Sequence, residues 1–136
     1  MKLYEKIKNI FHNYRNIEEN SIDYENAKTI LKNDRNAILI DVRSPQEYKE
    51  NHLNGSINLP LYDLEKNCDK IKYNKQDTLI IYCQSGNRSK RALKILLDQG
   101  YTHLYEIKGG LDEIGWHIRD VSFCVIWNRW HKKKRP

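Results

Sequence analysis

Apolar positions recur along this chain with two periods, and the change from one to the other marks its elements. Leu3, Tyr4, Ile7, Ile10 and Phe11 fall at helical spacings, which predicts an amphipathic helix that opens the chain and packs on its body. A polar connector from Asn16 to Ser21 is expected to follow. Asp23 is placed to cap a helix through Ala27, Ile30 and Leu31 that stops near Asn33-Asp34. Ala37-Ile38-Leu39-Ile40 is different in kind: short, apolar, rich in branched residues and flanked by polar ones, it reads as a buried strand ending at Asp41. Ser44-Pro45-Gln46-Glu47 predicts a helix start, with serine as cap, proline at the first position and glutamate three residues after the serine, running to about Asn51. A short strand is expected at Ser56-Ile57-Asn58, and Pro60 opens a helical turn through Leu61 and Leu64. The strongest strand is Thr78-Leu79-Ile80-Ile81-Tyr82, which delivers Cys83 at its C-terminal end. A helix from about Arg88 to Asp98 follows, with Ala92, Leu93, Leu96 and Leu97 as its apolar face and Gly100 placed to stop it. His103 to Ile107 reads as another strand, and Gly109-Gly110 as a tight turn into a last helix holding Leu111, Ile114 and Trp116. Strands alternating with helices predict an α/β fold whose parallel sheet is covered on both faces.

Composition narrows the class. A chain of 136 residues suits one hydrophobic core, and its 39% hydrophobic and 31% charged residues describe a soluble globular protein. No apolar run approaches the roughly 18 residues of a membrane-spanning helix. Met1 to Arg15 intersperses Lys2, Lys6 and Lys8 among apolar residues and so lacks the continuous stretch of a secretory signal. A cytoplasmic setting is therefore expected. The cysteines, Cys68, Cys83 and Cys124, are odd in number and without CxxC spacing, which argues against a disulfide framework and a zinc site. The net charge of +6 is concentrated at the end, where Arg129, Lys132, Lys133, Lys134 and Arg135 stand in the last eight residues. The remainder has 19 basic against 18 acidic residues. A basic footprint confined to a tail is weak evidence for nucleic acid, and none is expected as a partner.

Chemistry points to Cys83. Ligands of open parallel sheets bind at the carboxyl ends of strands. Between Cys83 and the following helix lie Gln84, Ser85, Gly86 and Asn87, small or polar residues of which the last two tolerate unusual backbone angles. Such a loop can curl around its first side chain and aim backbone N–H groups and the positive end of a helix at the sulfur. Arg88, Lys90 and Arg91 supply nearby cations. Together these features favour a thiolate nucleophile over an inert buried cysteine.

Cys83-Gln84-Ser85-Gly86-Asn87-Arg88-Ser89 resembles the active-site loop of rhodanese-like sulfurtransferases, whose commonest form is Cys-x-x-Gly-x-Arg-Ser. Asp41-Val42-Arg43-Ser44-Pro45-Gln46-Glu47-Tyr48 resembles the first signature of that family and His52-Leu53-Asn54-Gly55-Ser56-Ile57-Asn58-Leu59-Pro60 the second. Gly109-Gly110-Leu111 with Trp116 resembles the last. The resemblance covers roughly Ser21 to Ile118. It implies a three-layer rhodanese-like fold with a central, mainly parallel sheet, and catalysis by a Cys83 persulfide. By that resemblance Cys83 would take a sulfane sulfur from a donor such as thiosulfate, release sulfite, and pass the sulfur to a thiol, a protein or cyanide. No metal or organic cofactor is implied. Gln84, Ser85, Gly86, Asn87, Arg88 and Ser89 would form the persulfide-stabilising loop, with Arg43, Lys90 and Arg91 at the pocket rim. Asp41, Arg43 and Glu47 read as chiefly architectural, and His52 as a turn and packing residue.

Other readings stand beside this one. Dual-specificity phosphatases of the same fold put five residues between cysteine and arginine. The four here suit a single sulfur atom better than a phosphoryl group, so phosphatase or arsenate reductase chemistry is the lesser enzyme reading. A persulfide carrier serving a partner protein would have the same pocket, and a non-turnover binding module for a partner is a further alternative, against which the presence of Cys83 weighs. The chain divides by this reading into an N-terminal helix and connector (1–20), the domain (21–120) and an apolar then basic tail (121–136). The tail either covers the core or docks on an anionic surface. Cys124 is either a resolving thiol or an inert one, and the same holds for Cys68.

Overall fold

The computed structural model of the chain describes residues 2–68 and 71–116, without the side chains of residues 9–16 and of Trp116. The expectations for Ile10, Phe11 and Trp116, and for the 121–136 segment with Cys124, fall outside the described parts. Eleven elements follow one another in the described residues: α1 (Leu3–Glu19), β1 (Ser21–Ile22), α2 (Tyr24–Asn33), β2 (Ile38–Asp41), α3 (Pro45–Glu50), β3 (Ile57–Asn58), α4 (Leu61–Asn67), β4 (Leu79–Tyr82), α5 (Asn87–Asp98), β5 (Leu104–Ile107) and α6 (Gly110–Trp116). The five strands form one sheet in the order β1-β5-β4-β2-β3, and every pairing is parallel. β4 is the axis. All four of its residues are fully buried, as expected for an uninterrupted apolar run with a strand on each side and helices above and below.

Alternation along β4 divides the interior in two. Leu79, Ile81 and Cys83 face one core with Ile40, Val42, Leu64, Leu93 and Leu96, from β2, α4 and α5. Ile80 and Tyr82 face a second core with Ala27, Leu39, Ile107, Leu111 and Ile114, which brings in α2 and α6. Three layers result, with Cys83 on the α4–α5 side. The Tyr82 hydroxyl on the other side accepts the Leu53 N–H at 3.0 Å and meets Ser56 Oγ at 3.0 Å. Burial, first among its causes, pushes its pKa well up.

Most local signals hold. Asp23 Oδ1 caps α2 by accepting the Asn26 N–H at 2.7 Å, and Ser44 with Glu47 closes a capping box on α3, with Pro45 at the first helical position. The beginning of the chain differs from expectation. Helix α1 continues through the polar stretch at 16–19, because no glycine or proline interrupts it and Ile17 packs on the first core. Ser21 and Ile22 are strand rather than connector. β5 needs a neighbour on its outer edge, and the Glu106 and Lys108 N–H groups donate to Asn20 O and Ile22 O at 2.9 and 2.8 Å. Leu3, Tyr4 and Ile7 are exposed, Leu3 at 73%, so this end of α1 does not pack on the body. Periodicity defined its face but could not supply a surface to cover it.

Candidate active site

Cys83 follows directly on β4, and its side chain has no exposed surface. The chain beyond it turns back through Gly86, whose φ of 101° lies in the left-handed region that glycine enters without strain, and Asn87 then starts α5. This reversal aims two backbone donors at the sulfur. The Gly86 N–H reaches Cys83 Sγ at 3.0 Å and the Ser89 N–H at 3.3 Å, while the Ser89 hydroxyl lies 3.4 Å away. The N-terminus of a 12-residue helix stands behind them. Negative charge on the sulfur is therefore met by directed N–H dipoles, with the charge of Arg88 acting on it as well.

Every side of this loop is tied to a different element. The Gln84 amide is a strap: its Oε1 accepts from Arg43 Nη1 at 3.3 Å, and its Nε2 donates to Asp112 Oδ1 of α6 at 2.6 Å. The α6 backbone holds the same point, since the Leu111 N–H donates to Cys83 O at 3.0 Å and the Asp112 N–H to Gln84 O at 2.9 Å. Only glycine permits this approach at position 110, where a Cβ would stand 2.3 Å from Cys83 O. Arg88 closes the far side with a two-pronged bond to Glu47, at 2.6 and 2.9 Å. The hydrogen bond from Arg88 pulls the Glu47 pKa down to about 2, and the same bond raises that of Arg88. The capping carboxylate of α3 is thus also the partner of the loop arginine.

Arg43 lies beneath the loop rather than on an open rim. It is 1% exposed and forks onto Asp41, with Nε at 3.1 Å from Oδ1 and Nη2 at 2.7 Å from Oδ2, and it also donates to Asn51 O at 2.6 Å. Burial alone would lower its pKa, but the hydrogen bond and charge of Asp41 outweigh that and raise it. Arg91 is exposed and pairs with Glu65 of α4 at 2.8 Å. Lys90, Ser85 and Asn87 are exposed. His52 stacks on Tyr48, with 3.9 Å between ring centroids, and its Nδ1 lies 2.7 Å from Tyr48 O, the packing position read for it. Cys68 lies between α4 and α5, with the Gln99 amide 3.3 Å from its sulfur. A groove of about 400 Å³ bounded by Val42, Pro45, Pro60, Leu61 and Arg88 runs beside the loop. Among the described residues no group of three or more His, Cys, Asp or Glu is gathered as a metal site.

Sequence reasoning missed Glu106. This carboxylate is fully buried in β5 and accepts from Ser89 Oγ at 2.8 Å and from Ser21 Oγ at 2.5 Å, so it underlies the loop two hydrogen bonds from Cys83. Strand alternation carried the signal, because a residue two places from the inward Leu104 must also face inward.

Residues 23–115 match the family described as the rhodanese-like domain. The thiosulfate sulfurtransferase PspE of Escherichia coli is 41% identical over 75 residues, which span 55% of this chain and 71% of that one. The thiosulfate:glutathione sulfurtransferase of Saccharomyces cerevisiae is 33% identical over 113 residues, covering 74% of this chain and 80% of the yeast protein. Among solved structures, the human single-domain sulfurtransferase TSTD1 superposes with a TM-score of 0.63 at 24% identity, over 74% of this chain and 97% of its own, and it attests the fold.

Proposed function

Because the chain belongs to the rhodanese-like domain family, with sulfurtransferases among its relatives, we propose that it transfers a sulfane sulfur through a persulfide on Cys83. The observation that carries this reading is the sulfur of Cys83 at the end of the central strand, enclosed by its own loop and met by the Gly86 and Ser89 N–H groups at 3.0 and 3.3 Å. In the first step the Cys83 thiolate attacks the outer sulfur of a donor such as thiosulfate. The donor S–S bond breaks and sulfite leaves with the electron pair. The product persulfide is an anion, and the same N–H groups that face the thiolate suit it. In the second step an acceptor thiolate or cyanide attacks the terminal sulfur, and the Cys83 thiolate is the leaving group.

Arg88 is assigned here to holding the loop rather than to drawing in the donor. Its charge is matched by Glu47 across a two-pronged bond, which leaves little net field to attract an anion. The exposed Lys90 in the first turn of α5 remains for that task. Gln84 and Asp112 would fix the loop from the α6 side. A reducing, cytoplasmic setting suits a thiol that must stay free between turnovers.

Incubation of the protein with thiosulfate, followed by intact mass, tests the reading. A gain of one sulfur atom is expected, absent in Cys83→Ser and lost on adding cyanide with release of thiocyanate. A protein that gains no sulfur from thiosulfate or from any persulfide donor would overturn the proposal.

A further inference from the structure

The mechanism just given leaves one buried ionisable group unused. Glu106 has no exposed surface, and among the described residues the hydrogen-bond donors to its carboxylate are hydroxyls: Oε1 accepts from Ser21 Oγ, Oε2 from Ser89 Oγ. Among the described residues no lysine, arginine or histidine forms an ion pair with it. Through Ser89 this carboxylate is joined to Cys83 in one continuous hydrogen-bonded chain.

The hydrogen-bond count at Ser89 sets the direction of that chain. A serine hydroxyl has one proton to give. Glu106 Oε2 at 2.8 Å and Gly86 O at 3.0 Å compete for it, so the hydroxyl turns a lone pair toward Cys83 Sγ at 3.4 Å. Cys83 is then the donor, a thiol. A thiolate at the same place needs the chain reversed, with Ser89 donating to sulfur and accepting from a protonated Glu106.

We propose that Glu106 is the resident acceptor of the Cys83 proton, a positioning residue that acts through Ser89. The Cys83 S–H bond breaks and its proton passes to Ser89 Oγ, while the Ser89 hydroxyl proton passes to Glu106 Oε2. Thiol plus carboxylate become thiolate plus carboxylic acid, and the chain holds one negative charge throughout. The proton returns when the Cys83 thiolate is released after sulfur has been handed on. This rests on Cys83 being the sulfur-carrying nucleophile.

The other charges around the pair come from four elements. Arg88 of α5 is held by Glu47 of α3, Asp41 and Arg43 pair at the end of β2, and Asp112 of α6 lies against Gln84. Lys2 and the described charged side chains of α1, Glu5, Lys6, Lys8, Glu18 and Glu19, are exposed.

The test is the ultraviolet thiolate absorbance of Cys83 as a function of pH, taken as the difference between each protein and its Cys83→Ser counterpart, with circular dichroism to confirm folding. Two groups that share a proton titrate as a pair, in two steps. The wild type is expected to gain part of its thiolate signal as the pair loses its first proton, because a fraction of the singly ionised pair then carries the remaining proton on Glu106, and the rest as it loses the second. Glu106→Gln cannot take a proton, and Ser89→Ala cuts the chain from the other side while leaving Glu106 in place, so each is expected to show one. Ser21→Ala removes an anchor but not the route and is expected to keep two. Superposable curves for all four proteins would overturn the relay. So would equal changes in Ser21→Ala and Glu106→Gln, which would mark Glu106 as an anchor only. Sulfur loading measured by mass on the wild type is a separate readout: two titration steps without loading would sink the sulfurtransferase reading and spare the relay, and loading with one step the reverse.

Discussion

Replacing Gly110 by alanine should cost this protein more than any other single-methyl addition at its glycines. The new Cβ would lie 2.3 Å from Cys83 O, 2.7 Å from Gln84 O and 2.8 Å from Gln84 C, all backbone atoms that no rotamer change can move aside. The loop and α6 must separate, and the Leu111 N–H to Cys83 O and Asp112 N–H to Gln84 O bonds lengthen or break. Two hydrogen bonds at about 1 kcal/mol each, with about 1 kcal/mol for a side chain at φ +60°, give a loss of about 3 kcal/mol. For a domain of this size that lowers Tm by about 10 °C. Sulfur loading should fall further than stability does, because the displaced atoms belong to the peptide of Cys83, the residue proposed to carry the sulfur. Two other glycines calibrate the scale. Gly55→Ala meets open space but has a φ of +81°, so it should cost about 1 kcal/mol. Gly115→Ala, inside α6 with nothing within 4 Å, should be neutral or stabilising by up to about 1 kcal/mol. Urea unfolding of the three variants, with loading by thiosulfate followed by mass, checks the order. A Gly110→Ala protein within about 1 kcal/mol of wild type that loads at the wild-type rate would refute the reasoning.

Three further outcomes are expected. The Glu47 pKa is depressed to about 2 in the fold, so its contribution is fully present above pH ~4.5 and is lost as pH falls toward 2. Its side chain and that of Arg88 are 34% and 38% exposed, so solvent screening reduces this to about 1 kcal/mol. Acid unfolding of Glu47→Gln should lack that part of the pH dependence, and identical acid profiles would show the pair to be inert. Gln84→Ala frees both Arg43 Nη1 and Asp112 Oδ1 from the loop, and sulfur loading should slow while stability changes by about 1 kcal/mol; unchanged loading kinetics would remove the strap from the mechanism. Leu3→Ser and Tyr4→Ser should leave thermal stability within about 0.5 kcal/mol of wild type, since both side chains are more than 70% exposed. A larger loss by calorimetry would mean that this helix end is covered in solution.

What could be read from the residues was local. The capping box at Ser44 and Glu47, the cap at Asp23, the apolar run of β4 and the small residues between Cys83 and Arg88 each act within a few positions, and each takes its expected form. What could not be read was where the ends of long side chains meet. Glu47 and Arg88 stand 41 residues apart, Gln84 and Asp112 28, and Ser21 and Glu106 85, and nothing in composition or spacing announces these pairs. Arg91 and Arg88 show the same limit from the other side. Both are cations near Cys83 in sequence, yet the helix turns one toward Glu65 and the other onto Glu47. The β1 strand was hidden because two residues are too few to alternate.

The sheet order has a consequence for how the protein behaves in a crowd. Its fully buried apolar strand β4 is in the middle, and the two strands on the outside, β1 and β3, are two residues each. A second chain, whether a copy or a misfolded neighbour, finds at either margin only a rung or two of open backbone on which to build. Among the described residues, the most apolar strand is thus walled in by the two that offer a neighbour the least to pair with.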